Sequence, residues 1–197
     1  MSSSIGIYAS QISGHLVTNN YSSISTVTVG SGGASSITFS SIPSTYTHLQ
    51  LRCIARSTYS PGGSPSYGDS SYLQFNGDTG SNYSEHYLGG NGSSVSSFQA
   101  SGPSATFMNI SDGNGPWANM TANAYGPTII DILDYTNTNK AKTVRILNGF
   151  DANGVGRTNL QSGLWLNSSS AITSINFTFV SGSAAQQYSS FALYGVK

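Results

Sequence analysis

Charge is what this sequence most lacks. Lys and Arg number 7, Asp and Glu number 7, and together they make up 7% of 197 residues, against about 25% in an ordinary soluble domain. The formal net charge is zero. No basic patch is available to meet the phosphates of a nucleic acid, and there is no acidic tail. Few acids, bases or metal ligands remain, so a building or binding module is expected rather than an enzyme, with no cofactor and no metal. Near-zero net charge favours association over repulsion, which suits a subunit of an assembly.

Other absences narrow the class further. Cys53 is the single cysteine, so no intrachain disulfide can form. It shares one strand face with Leu49, Leu51 and Ala55 and reads as a buried structural thiol. No useful window repeats apolar residues at spacings of three and four, so no helix is expected. No stretch approaches the ~20 apolar residues of a membrane helix. Met1–Ile5 carries neither a basic start nor an apolar run, which predicts no signal peptide. The expectation is a chain made in a cytoplasm and kept or assembled there, with triplets such as Asn82-Tyr83-Ser84 being accidents of composition.

Chemical motifs are equally scarce. His15, His48 and His86 lie far apart in sequence, and no spacing resembles a zinc site. No nucleophile elbow, phosphate loop or dinucleotide fingerprint occurs. Asp131 and Asp134, three apart on a strand, face opposite ways. The segments Ser111–Gly115 and Asp151–Gly154 are rich in oxygen, but calcium wants six to eight oxygens with several carboxylates, and both read as turns.

What the chain does have is alternation and turn residues. Residues 1–33 form a Ser/Gly-rich leader closing on Gly30-Ser31-Gly32-Gly33, in which only Ile24–Val29 alternates like a strand. A disordered leader and an arm that orders on a neighbouring subunit both fit, and the arm is the expectation. Residues 34–197 read as strand, turn, strand. Strands are expected at 36–39, 46–56, 72–75, 83–88, 105–110, 128–135, 142–147, 160–166, 171–180 and 189–196, with a hairpin across Thr136–Lys140. Eight to eleven short strands predict an all-β sandwich, jelly-roll-like, with an extended N-terminal arm. Leu49, Leu51, Ile175, Phe177 and Phe179 are the expected core.

Aromatic residues supply the candidate contacts. There are 12 Tyr, 8 Phe and 2 Trp. Exposed Tyr and Trp suit sugar stacking or protein interfaces, because they bury large area with few rotors and keep a polar handle. Tyr59, Tyr67, Tyr83, Tyr87 and Trp117 lie in or near expected loops. Trp165 faces away from Leu160, Leu164 and Leu166 and becomes an interface anchor if its face is not core. Ile24, Val27 and Val29 of the arm complete the set of interface candidates.

Three stretches carry a resemblance: Ser36-Ile37-Thr38-Phe39-Ser40-Ser41-Ile42-Pro43-Ser44-Thr45-Tyr46-Thr47-His48-Leu49-Gln50-Leu51-Arg52, then Leu73-Gln74-Phe75-Asn76-Gly77-Asp78, and the closing Phe191-Ala192-Leu193-Tyr194-Gly195-Val196. They resemble virion structural proteins of tailed bacteriophages over most of residues 35–197. The resemblance implies a β-sandwich, often trimeric, without a catalytic motif. The expected function is capsid decoration (a cement protein) in the virion, with the major capsid protein and sister subunits of a homotrimer as partners. The alternative is a tail or fibre component touching host surface glycan. A third reading, a polysaccharide-degrading sandwich, needs a carboxylate pair such as Glu85 with Asp131.

Overall fold

The computed structural model describes residues 20–62 and 68–197. Among them the fold is all-β, without helices. The first half contributes β1 (Tyr21–Thr28), β2 (Ile37–Phe39), β3 (His48–Ala55), β4 (Asp69–Phe75), β5 (Tyr83–Gly90) and β6 (Val95–Ala105). The second contributes β7 (Met108–Gly115), β8 (Gly126–Leu133), β9 (Lys142–Asp151), β10 (Gly156–Trp165), β11 (Ile175–Phe179) and β12 (Ser190–Val196). Eight strands form one sheet in the order β1-β12-β3-β8-β9-β10-β5-β6, and four form the other in the order β2-β11-β4-β7. Every ladder is antiparallel. The chain therefore crosses between sheets at β1–β2, β2–β3, β3–β4, β4–β5, β6–β7, β7–β8, β10–β11 and β11–β12.

Alternation places the core between the sheets. Leu49, Leu51, Cys53 and Ala55 point inward from β3, as do Ile175, Phe177 and Phe179 from β11 and Phe191 and Leu193 from β12. The rings of Phe177 and Phe191 are 5.0 Å apart, and those of Phe177 and Phe179 meet edge to face at 5.6 Å. Burial pushes the Cys53 thiol far up, so it stays a protonated apolar filler. The β8–β9 hairpin runs as expected, with Leu133 opposite Thr143. At the β9–β10 turn, Asn153 and Gly154 both take positive φ (58° and 102°), which matches the twist of a two-residue hairpin. Elsewhere a glycine makes room: a Cβ on Gly195 would collide with the Tyr46 ring laid across it.

Three expectations are corrected. Residues 21–33 are not an arm. Val27 stands opposite Phe191 as β1 pairs with β12, Val29 is buried, and Ile24 and Val27 pack on the core. Residues 1–19 lie outside the described residues. The expected strand 105–110 is broken at Thr106-Phe107, where the chain passes from one sheet to the other. Ser111–Gly115 belongs to β7 rather than to a turn.

One end of the sandwich is closed around Arg56, the residue after β3. Its side chain is buried and reaches four backbone carbonyls. Nη1 donates to Thr121 O (2.7 Å) and Ala124 O (2.8 Å), and Nη2 to Ala118 O (3.1 Å) and Met120 O (3.0 Å). Burial lowers the pKa, yet a guanidinium stays charged at any working pH. The β7–β8 connection is thereby wrapped around one cation.

Two outcomes test this packing. Phe177→Ala should destabilise the chain by about 3–5 kcal/mol, as buried Phe truncations do. A loss below about 1 kcal/mol in urea unfolding would remove Phe177 from the core. Arg56→Lys should lose about 2–4 kcal/mol, because an ammonium cannot reproduce the planar fork that spans four carbonyls. Wild-type stability in that variant would show that the loop is held by other means.

Candidate functional site

The outward face of the eight-stranded sheet departs from the usual polar face of a sandwich. Ile129 of β8 stands opposite Leu147 of β9, Leu147 opposite Leu160 of β10, and Leu160 opposite Leu88 of β5. Their exposures are 40%, 50%, 50% and 52%. Four aliphatic side chains thus make one straight row across four strands. Beside it lies a groove of about 630 Å³ lined by Pro127, Gly149, Thr158 and Gly90 together with Ile129 and Leu147. Strand positions occupied by glycine have no side chain to fill the groove, and the turns after β5 and β9 wall it.

The polar flank of the row is self-neutralising. Arg52 lies over the rings of Tyr21 (5.0 Å) and Tyr194 (4.8 Å). Its Nε donates to Gln50 Oε1 (2.5 Å), and Gln50 Nε2 donates to Asp131 Oδ1 (2.7 Å). Arg145 Nη2 donates to Asp131 Oδ2 at 2.8 Å. Burial pushes the Asp131 carboxyl upward, but the donors Gln50 and Arg145 outweigh it and hold it below the usual carboxylate range. Further along, Asp134 N–H donates to His48 Nδ1 (2.9 Å). That nitrogen is then an acceptor, so the 3.4 Å approach of His48 to the Asp134 carboxylate is not an ion pair through Nδ1. Lys140 pairs with Asp134 instead.

Sequence-predicted contact residues separate into two groups. Trp165 and Tyr83 are fully buried in the core, contrary to expectation. Their polar tips find partners there: Trp165 Nε1 donates to Asp78 Oδ2 (2.7 Å), and Tyr83 Oη donates to Asp78 O (3.1 Å). Ile24, Val27 and Val29 serve the chain's own core. Tyr59 and Trp117 are brought together in an edge contact, with ring centroids 6.0 Å apart. Tyr87 meets Phe98 at 5.9 Å near the β6 edge. Tyr67 lies outside the described residues. Glu85 and Asp131 do not form a catalytic pair: Glu85 points inward from β5, while Asp131 lies on the outward face of β8 with Ile129. The aliphatic row is not among the expected contacts, although Leu160, Leu164 and Leu166 share one strand face; the polar residues Asn159 and Gln161 on either side of Leu160 are the buried ones.

Asp131 sets an acid limit. A carboxylate with a lowered folded-state pKa adds stability above its unfolded pKa and loses it as pH falls through the folded value. Unfolding free energy should therefore drop between about pH 5 and pH 3, and Asp131→Asn should flatten that drop. An unchanged acid limb in urea titrations would remove Asp131 from the account.

Comparison of this chain with protein-family models, curated proteins and solved structures found no match, so its function is argued from its own geometry.

Proposed function

We propose that this chain is a non-enzymatic structural protein of a tailed-phage virion, a capsid decoration protein that seats the outward face of its large sheet on the assembled head. The observation that carries the reading is the row Ile129–Leu147–Leu160–Leu88 beside its groove. Contiguous apolar surface of this kind marks a contact with another macromolecule. The occupant is a protein subunit of the shell. Asp131 neutralises Arg145, and the cation left over, Arg52, is engaged by two tyrosine rings, so the face carries too little positive charge to suit nucleic acid or an anionic membrane. A neutral protein surface with its own apolar patch fits.

Strand order supports the same reading. We read β1-β12-β3-β8 facing β2-β11-β4-β7 as a jelly roll, an architecture common in viral capsid and lectin domains. The pairs β5–β6 and β9–β10 are then insertions that widen one sheet, and they carry three of the four residues of the row and most of the groove. The resemblance of residues 35–197 to virion proteins adds the location. Sister subunits of a trimer flank the chain on the lattice.

The test uses virions that carry the chain. It should stay bound when salt is raised from about 0.1 M to 1 M, over which the Debye length falls from about 10 Å to 3 Å, and should leave in urea, which weakens apolar burial. The double variant Leu147→Arg, Leu160→Arg should fold with stability within about 1 kcal/mol of the parent, since both side chains are half exposed. It should keep the parent's oligomeric mass and no longer bind stripped heads. Release by salt alone, or a variant that rebinds, would overturn the proposal. So would a variant that falls to a smaller oligomer, which would assign the face to sister subunits.

A further inference from the structure

We propose that the pocket between Tyr59, Trp117 and Asp69 is a saccharide-binding site. It lies at the sandwich end where the β3–β4, β7–β8 and β11–β12 connections meet, and it is separate from the docking face. The two readings fail independently.

Asp69 opens β4 and is 4% exposed. Its Oδ2 accepts hydrogen bonds from Ser57 Oγ (2.5 Å), Ser181 Oγ (2.6 Å) and Ser183 Oγ (2.7 Å). Ser57 Oγ in turn accepts the Tyr59 N–H at 2.9 Å. Three hydroxyls from two connections thus fix one carboxylate oxygen, while Oδ1 receives no hydrogen bond from a described residue. Among the described residues no cation pairs with Asp69; the ion pairs use Asp131 and Asp134. Burying a carboxylate is costly unless its lone pairs are engaged, and a hydroxyl bound in the pocket would engage Oδ1.

Asp69 lines a pocket of about 330 Å³ with Tyr59, Trp117, Ser70, Val180 and Ser181. The volume is at the small end of ligand pockets, suited to a single ring-sized group. Its frame is rigid. Ala118 N donates to Tyr59 O (2.7 Å), Ser57 N donates to Pro116 O (3.1 Å), and Arg56 holds the carbonyls beyond Trp117.

The pocket therefore suits a ligand that donates to the Asp69 carboxylate and lays C–H bonds on the Tyr59 and Trp117 rings. A pyranose does both: its hydroxyls donate, and one ring face is apolar. An alkylammonium would also meet Asp69 and the rings, and it is the competing ligand in the test.

The experiment follows tryptophan emission of the full chain, because Trp165 is fully buried and Trp117 is the responsive fluorophore. Methyl glycosides of glucose, galactose, mannose and N-acetylglucosamine are titrated separately, with methylammonium chloride in a parallel arm. At least one glycoside should shift the emission with Kd on the order of 1 mM. Tyr59→Ala, at a partly exposed position, should weaken it roughly tenfold or more, and Asp69→Asn should weaken it at least as much while keeping the parent's far-UV spectrum. Silence from every glycoside, full affinity in Tyr59→Ala, or saturation by methylammonium alone would overturn the proposal.

Discussion

A single buried guanidinium organises one end of this molecule. Among the described residues Arg56 has no carboxylate partner; its charge is met by the partial charges of four carbonyls in the segment 118–124. A connection of that length without secondary structure has many carbonyls to satisfy and little core to bury. One planar cation satisfies several at once and dictates their curvature. Trp117 enters the loop just before this curl, and Tyr59 leaves β3 just after the arginine. Their meeting is a by-product of how Arg56 is housed. The same residue joins the third connection, since Gln186 N donates to Arg56 O and Ser189 Oγ accepts from Arg56 N.

The widened part of the large sheet follows a different logic. On β9 and β10 the inward positions include Lys142, Asn148, Asn159 and Gln161, all buried, while Leu147 and Leu160 point out. The inner face is mixed here, since Val144, Ile146, Phe150 and Trp165 also face in, whereas in the β3–β8 region Leu49, Leu51, Ile130 and Ile132 line it. Lys142 shows how this is tolerated. Its ammonium donates to Lys140 O (3.3 Å) and Asn167 O (3.2 Å) and lies 5.7 Å from the Trp165 ring, and burial lowers its pKa.

Much of this fold is legible in the chain. β3, the β8–β9 hairpin, β11 and β12 alternate cleanly, and their inner residues are the ones expected. β1 is harder, because its Ser/Thr-rich alternation has a bulge between Ser23 and Ser25 and its partner lies at the far end of the sequence. Nothing local tells a strand that pairs with residue 196 from an arm that pairs with a neighbour. Tyr83 and Trp165 misled for a related reason: a buried aromatic with a polar tip needs one acceptor, and both find it at Asp78, a turn residue remote from Trp165 in sequence. The outward row was concealed because alternation gives the period of a strand but not which face is inside. The pocket left the faintest trace, since Asp69 lies more than a hundred residues from Ser181 and Ser183.

The pairing of β1 with β12 also governs how the molecule bears load. Tyr21 stands opposite Val196, and Lys197 N donates to Asn20 O at 3.2 Å. The first and last described residues leave the sheet side by side at one corner. A force applied between them does not shear the ladder but opens it like a zipper, one hydrogen-bonded pair at a time. Resistance to such a pull is therefore set by the weakest successive pair, not by the sum of the strand, and β1 would peel away while the sheets beneath it remained closed.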